Sequence, residues 1–161
     1  MALRPALLTP TTQSLVATAP PPADEGGAIP LAFFMAIMGA VEAREPMAVG
    51  RSRQIALHAV ATSRALLLPA DAVDAIRIGA LLANIGMLNV PEAILNKAEA
   101  LTADEVATIR HHPVLGADIL AAVPQLRHVL PLVLHHHEDW QGAGYPHGLA
   151  GEAIPLGARI I

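Results

Sequence analysis

The stretch that decides the fold is Pro69 to Ile85, which reads PADAVDAIRIGALLANI. Pro69 suits the first position of a helix, where a missing N–H costs nothing, and Asp71 complements the helix dipole in the opening turn. The segment is apolar nearly all round, with Ile76, Ile78, Leu81, Leu82 and Ile85. Because a helix that is apolar on every side is buried, this stretch predicts a helix at the centre of the domain.

The segments on either side predict further helices. Helical spacing of apolar residues, together with proline and glycine at the boundaries, marks each of them. The expected helices run from Pro30 to Glu45, Gly50 to Leu67, Glu92 to Asn96, Thr102 to Ala121, Pro124 to Glu138 and Pro155 onward. Thr102 and Glu105 form a T-x-x-E capping box. Since no stretch alternates polar and apolar residues, the expected fold class is all-α.

Composition bounds the class of protein. The 161 residues suffice for one domain. Residues 1–28 include three consecutive prolines and show no period, so we expect a disordered or linker tail before a domain over residues 29–161. A net charge of −4 argues against nucleic acid polymers or an anionic membrane surface as the main partner. The longest apolar stretch, residues 27–41, contains Pro30 and is too short for a membrane span, which needs about 20 residues.

The absence of cysteine excludes disulfides, thiolate metal sites and a cysteine nucleophile. It also fits a reducing compartment.

Histidines are concentrated in one region. Seven of the eight lie between positions 111 and 147: His111, His112, His128, His135, His136, His137 and His147. Neutral imidazole is a common metal ligand. Successive helix residues point about 100° apart, so residues 135–137 cannot all face one ion; two of them serve one site, or the run serves two adjacent metals. The alternative is a set of surface histidines at a helix end, where positive charge complements the dipole.

Two motifs surround these histidines. From His111 the chain reads HHPVLGADIL, and from His136 it reads HHEDWQGAGYPHGLAGEAIPLGARI. With the connector NVPEAILNKAEALT from Asn89, these motifs resemble the HD-GYP family of cyclic di-GMP phosphodiesterases over residues 40–161. The resemblance implies an HD-domain-like helical bundle in a bacterial, cytoplasmic signalling protein.

The resemblance also implies a site. His112, His136 and His137 match metal ligands of the family, and Gly144, Tyr145 and Pro146 match the loop that meets the substrate. Glycines allow a close backbone approach to a phosphate, and Tyr145 offers a hydroxyl and a ring. The alternative is that Tyr145 is a turn residue packed on Trp140.

Several family positions hold other residues here. Ala83 and Asn84 stand where the family has its His-Asp pair, Met87 replaces a lysine, and Arg51 replaces an earlier histidine. Two close cations need a bridging carboxylate to offset their repulsion, and Asn84 is neutral. We therefore expect at most one divalent ion, Fe, Mn or Zn, weakly held.

The family's last ligand is an aspartate after the A-R-I segment, and the sequence stops at Ile161. The bundle is therefore expected to be incomplete at its C-terminus. Leu156, Ile160 and Ile161 would lack a cover, as would the apolar face of residues 126–133, and the chain is expected to self-associate.

Three functional hypotheses follow. The first is a catalytically impaired signalling module that binds cyclic di-GMP or a protein partner, with diguanylate cyclase domains as candidates. The second is a metal-dependent cyclic di-GMP phosphodiesterase that uses the surviving histidines. The third is a gene remnant without a stable fold.

Overall fold

The computed structural model describes residue 29 and residues 31–44 and 49–161. Within these ranges the chain forms eight α-helices and no β-strand, which confirms the all-α fold class. The helices are α1 (Leu31–Glu42), α2 (Arg51–Ala65), α3 (Ala70–Leu82), α4 (Glu92–Leu95), α5 (Ala103–Arg110), α6 (His112–Ala121), α7 (Leu130–His135) and α8 (Leu156–Ile160). None of these described helices combines the length and the apolar character needed to cross a membrane. The predicted tail over residues 1–28 lies outside the described residues.

Helix α3 is the central helix, as its sequence predicts. It packs against α1, α2, α7 and α8. Its buried residues are Ile76, Ile78, Gly79, Ala80, Leu81 and Leu82. Full burial of one large aliphatic side chain stabilises a fold by about 1.5–3 kcal/mol, so this helix is the main source of the core.

Two predicted helices are each divided by a proline. The expected helix from Thr102 to Ala121 is two helices, α5 and α6, which meet at His111. Pro113 explains the break, because proline has no N–H for the carbonyl four residues earlier and its ring crowds that carbonyl. Pro113 lies instead in the first turn of α6, where no donor is needed. The break places His112 at the start of α6.

The expected helix from Pro124 to Glu138 begins as a 3-10 helix, Pro124–Val129, and becomes α-helical only in α7. Pro131 lies in the first turn of α7, for the same reason as Pro113 in α6. Helix α3 also ends three residues early, at Leu82, and a 3-10 helix over Ile85–Asn89 follows it. The capping box of Thr102 and Glu105 is confirmed, with both reciprocal hydrogen bonds present.

The apolar face expected to lack a cover is buried. Leu126, Val129 and Val133 are all less than 5% exposed. Helices α3 and α6 pack on this segment, and α8 packs against α3 and α7. Ile160 and Ile161 also contact the core. The prediction of an uncovered face was therefore wrong, and self-association loses the physical reason that the sequence offered for it.

Glu42 joins the end of α1 to the start of α2. Its carboxylate accepts hydrogen bonds from the backbone N–H groups of Gly50, at 2.6 Å, and Ser52, at 2.7 Å. Helix α2 has no side-chain cap from its own N-cap residue, so Glu42 performs that function. Burial raises the pKa of Glu42, but the hydrogen bonds from Ser52 and Gly50, with the positive charge of Arg53, outweigh burial and hold the pKa below its ordinary value.

Glu42→Gln is expected to lower the free energy of unfolding at pH 7 by about 1–2 kcal/mol, the usual cost of a lost cap. Because folding lowers the pKa of Glu42, its contribution is complete above the ordinary value of 4.5 and declines as the pH falls through the folded-state value. The difference between wild type and variant should therefore shrink below pH 4.5. Urea unfolding across a pH series measures it, with the exposed Glu99→Gln as control. A difference independent of pH would contradict this role.

Candidate metal centre

Packing of α6 against α7 brings histidines from two helices together. His112 begins α6, and His136 and His137 follow the last residue of α7. One ring nitrogen from each of these three residues lies within 4.8 Å of the other two. His112 is buried, so the interpretation of these residues as surface histidines at a helix end does not hold for it.

Backbone carbonyls orient two of the rings. Nδ1 of His112 lies 2.8 Å from the carbonyl oxygen of Ile109, and Nδ1 of His136 lies 2.7 Å from that of Val133. A carbonyl can only accept, so each Nδ1 carries the hydrogen and donates it. Pro113 has no N–H to give to the Ile109 carbonyl. The Ile109 carbonyl accepts a backbone N–H at the C-cap of α5 instead, and it also holds the neighbouring His112 ring.

The two oriented rings turn their other nitrogens toward each other. Nε2 of His112 and Nε2 of His136 are 3.3 Å apart. In neutral imidazoles with hydrogen on Nδ1, both Nε2 atoms carry lone pairs, and neither can donate to the other. Two nitrogens bound to one tetrahedral Zn²⁺ ion at 2.0–2.1 Å would lie about 3.4 Å apart. The spacing thus fits a pair of ligands that share one ion.

The surroundings keep these imidazoles neutral. Burial, with the adjacent His137 ring and with His112, lowers the pKa of His136 to about 3. Burial and the nearby His112 lower the pKa of His137 to about 4. Burial also lowers the pKa of His112, although its hydrogen bond to Ile109 opposes the shift. Neutral imidazole is the form that binds metal, so no proton has to leave these rings at neutral pH.

Tyr145 lies on the exposed side of the histidine group. Its ring stacks on His137, with centroids 4.7 Å apart and planes 16° apart. The Arg110 guanidinium, from the end of α5, lies 5.3 Å from the centroid of the Tyr145 ring. Burial raises the pKa of Tyr145, against the opposing charge of Arg110. Trp140, the alternative partner of Tyr145, is instead exposed beside Arg159.

Glu138 anchors the glycine-rich loop after α7. Its Oε1 accepts the backbone N–H of His147 at 2.8 Å, and its Oε2 accepts that of Leu149 at 2.9 Å. The N–H of Tyr145 donates to the His137 carbonyl at 3.1 Å. Gly144 lies so close to the helix end that a Cβ there would overlap the backbone of Glu138 and Asp139. The loop therefore folds back onto the helix end, which sets Tyr145 against His137.

Three of the positions at which this chain differs from the family motifs lie close together in the structure. Arg51, Asn84 and Met87 line the same pocket, together with Glu42. Gly86, two residues after Asn84, packs directly on the backbone of His112. None of the three altered residues supplies an imidazole or a carboxylate, and a guanidinium has no lone pair for a metal. The carboxylate of this pocket belongs to Glu42, which accepts the backbone N–H groups of Gly50 and Ser52.

A family model for the HD domain matches residues 36–161, which include the histidine group, the loop and the pocket. The chain belongs to the HD domain family. Together with the motifs around His112 and Gly144, its curated relatives make it an HD-GYP domain. This confirms the family that the sequence resembles.

The relatives of this HD-GYP domain are phosphodiesterases by name. A cyclic di-GMP phosphodiesterase of Pseudomonas aeruginosa is 43% identical over 102 residues, 63% of this chain and 25% of the relative. A cyclic di-GMP phosphodiesterase response regulator of Xanthomonas campestris pv. campestris is 39% identical over 94 residues, 56% of this chain and 25% of the relative. The 3'3'-cGAMP-specific phosphodiesterase 2 of Vibrio cholerae is 30% identical over 126 residues, 77% of this chain and 24% of the relative. The chain spans about a quarter of the length of these relatives.

The sequence identified the three clustered histidines and Tyr145, but it assigned no role to Glu138, Arg110 or His147. Glu138 follows the histidine pair and precedes a glycine-rich loop, a place where a carboxylate can accept backbone N–H groups. Arg110 precedes the first histidine pair directly. Their contacts with the loop depend on how it folds back, which local sequence does not specify.

Proposed function

We propose that this HD-GYP domain is a signalling module that binds one divalent ion, Fe, Mn or Zn, weakly at His112, His136 and His137, and that its hydrolysis of cyclic di-GMP is impaired. The observation that carries the proposal is the pair of Nε2 atoms, 3.3 Å apart, on two rings whose Nδ1 atoms are held by backbone carbonyls. Such orientation of the second nitrogen is typical of metal-binding histidines.

The donor set supports weak binding of a single ion. Three neutral imidazoles suit Zn²⁺ or a related transition ion. They contribute no negative charge, and no carboxylate belongs to the group formed by these three residues. A bound divalent ion would supply positive charge for a phosphate oxygen of a nucleotide.

The residues of the pocket lined by Arg51, Asn84 and Met87 support the proposal that hydrolysis of cyclic di-GMP is impaired. Two-metal phosphodiesterases hold both oxygens of the displacement between ions about 3.5–4 Å apart. Ala83 and Asn84, at the positions of the family's His-Asp pair, supply neither an imidazole nor a charged carboxylate. Arg51, which lines the pocket with Asn84, has a guanidinium with no lone pair for a metal ion. These residues do not fit a second family ion.

The loop supports ligand binding by the same domain. Gly144, Tyr145 and Pro146 lie next to His137, and Arg110 adds a positive charge within reach of a phosphate. We propose cyclic di-GMP as the ligand, since the relatives in Pseudomonas and Xanthomonas are named for it. Diguanylate cyclase domains as partners, self-association and a cytoplasmic location stay predictions.

Hydrolysis and metal content test the proposal together. With Mn²⁺ or Fe²⁺, the purified protein is expected to turn over neither cyclic di-GMP nor 3'3'-cGAMP above the level of His136→Ala. The same variant should lose one bound ion, whereas the exposed control His128→Ala should keep it. Ala83→His combined with Asn84→Asp should not restore turnover, because Arg51 remains. Anion-exchange chromatography of the nucleotides and elemental analysis of the proteins, after dialysis against a buffered concentration of the metal ion, provide the measurements.

One result would establish the alternative function. Turnover of cyclic di-GMP that His136→Ala abolishes and His128→Ala retains would make the chain an active metal-dependent phosphodiesterase. An unchanged metal content in His136→Ala would instead refute the three-histidine centre.

A further inference from the structure

A second group of ligand-type side chains lies next to the first and shares none of its residues. One ligand atom from each of His135, Glu138 and His147 lies within 4.8 Å of the other two. His135 ends α7, Glu138 follows three residues later, and His147 comes from the glycine-rich loop. Because neighbouring residues of a helix end point in different directions, His135 faces this group while His136 and His137 face the other.

The carboxylate side chain of this group is buried, and no lysine or arginine among residues 49–161 forms an ion pair with it. The side chain of Glu138 is 0% exposed. Its two hydrogen bonds come from uncharged backbone N–H groups. Nδ1 of His135 lies 3.5 Å from Glu138 Oε1, which is longer than a charge-assisted hydrogen bond of about 2.7–2.9 Å. Burying a carboxylate costs desolvation free energy unless a positive charge compensates it. A cation bound beside Glu138 would offset this cost.

The nitrogen that faces the carboxylate also lacks a partner. Nδ1 of His135 is buried and makes no hydrogen bond. Its distance of 3.5 Å from Glu138 Oε1 is long for a hydrogen bond, but it is close to the separation of about 3.4 Å between two ligands of one tetrahedral Zn²⁺ ion. The His147 ring lies near, with its centroid 5.2 Å from that of His135, and is exposed to solvent. An ion can therefore enter from the loop side.

We propose that His135, Glu138 and His147 form a second metal site, distinct from the three-histidine centre, which takes Zn²⁺ or a similar transition ion. Two imidazoles and one carboxylate are a common zinc ligand set and leave a fourth position for water. The ligands come from the helix end and from the loop, so a bound ion fastens the loop to α7. An ion that binds only the folded state adds to its stability. The single ion expected at the three-histidine centre thus becomes one of two.

Zinc titration of the full chain tests the second site. After dialysis against buffered Zn²⁺, the wild type is expected to retain two ions, His147→Ala one, and the exposed control His128→Ala two. Competition with a chromogenic chelator should show the affinity of one ion at least tenfold weaker in His147→Ala. His147 is exposed, so the variant should keep the circular dichroism spectrum of the wild type.

Measurements in the His136→Ala variant distinguish zinc binding at the second site from binding at the three-histidine centre. In His136→Ala, Zn²⁺ should still bind once, shift the NMR signals of the His147 ring and raise the melting temperature. In His136→Ala combined with His147→Ala, both effects should vanish. If His147→Ala keeps the zinc content and affinity of the wild type, or if His128→Ala loses an ion to the same extent, the second site does not exist.

Discussion

Gly86→Ala is expected to destabilise the domain strongly, with a loss of at least about 3 kcal/mol in the free energy of unfolding. A Cβ at Gly86 would overlap the carbonyl oxygen of His112 and lie 2.6 Å from the backbone nitrogen of Gly116. Both obstacles are backbone atoms of α6, so no side-chain rotation relieves them. Because a domain has only about 5–15 kcal/mol of net stability, the variant should unfold at much lower urea concentration than the wild type.

Gly39→Ala is the matched control for Gly86→Ala. Gly39 lies on the exposed side of α1, and a Cβ there meets nothing within 4 Å. Alanine in an exposed helix interior is more stable than glycine by about 0.5–1 kcal/mol, so the control should be slightly stabilised. Urea unfolding followed by circular dichroism compares the two. Equal stability of the two variants would show that the 3-10 helix after α3 does not press on α6.

The same contact links the fold to the site. The 3-10 helix Ile85–Asn89 packs along α6, and the closest approach is to the residue whose ring forms the metal centre. In Gly86→Ala, α6 would have to shift away from the added methyl group. If the folded fraction still binds metal, His136 must shift with His112.

The sequence predicted those features that depend on local patterns. The apolar run of α3 and the capping box of Thr102 and Glu105 act within one or two helical turns, so their residues are sufficient evidence. The histidine pair before the glycine-rich loop was also recognisable, because its order along the chain is specific. His136 and His137 do lie beside His112.

Other features depend on contacts between distant segments. The apolar face of residues 126–133 was predicted to lack a cover. Its cover comes from α3 and α6, which pack there only in the folded chain. Pro113 was also overlooked as a helix break, although proline inside a helix removes a hydrogen bond. The group of His135, Glu138 and His147 could not be recognised from the sequence because the eight residues between Glu138 and His147 have to fold back before the side chains meet.

Pro113 shows how fold and site share one cause. It ends α5 at the preceding turn, and the Ile109 carbonyl, which receives no N–H from Pro113, accepts from the His112 ring. Val133 fixes His136 in the same way at the end of α7. In both cases a carbonyl at a helix terminus orients a ligand.

Glu138→Gln is expected to lower the free energy of unfolding by about 2–4 kcal/mol and to release the loop that carries Tyr145. The carboxylate accepts one backbone N–H on each oxygen, from His147 and Leu149. Glutamine keeps one oxygen and puts an NH₂ group in place of the other, so one backbone N–H donor would face a second donor. Hydrogen bonds to a charged acceptor are each worth about 1.5–3 kcal/mol, and an unsatisfied buried donor adds to the cost.

The measurement is made with a chelator present, so that bound zinc does not contribute. Urea unfolding gives the change in stability, and amide hydrogen exchange at His147 and Leu149 reports the loop itself. Both amides should exchange much faster in Glu138→Gln, whereas Glu152→Gln, at an exposed position of the same loop region, should alter stability by less than about 0.5 kcal/mol. Because Glu138 is buried and receives both N–H groups directly, slow exchange of these two amides in Glu138→Gln would mean that the loop is held by other contacts, and Glu138 would then lose its place as the anchor of the loop.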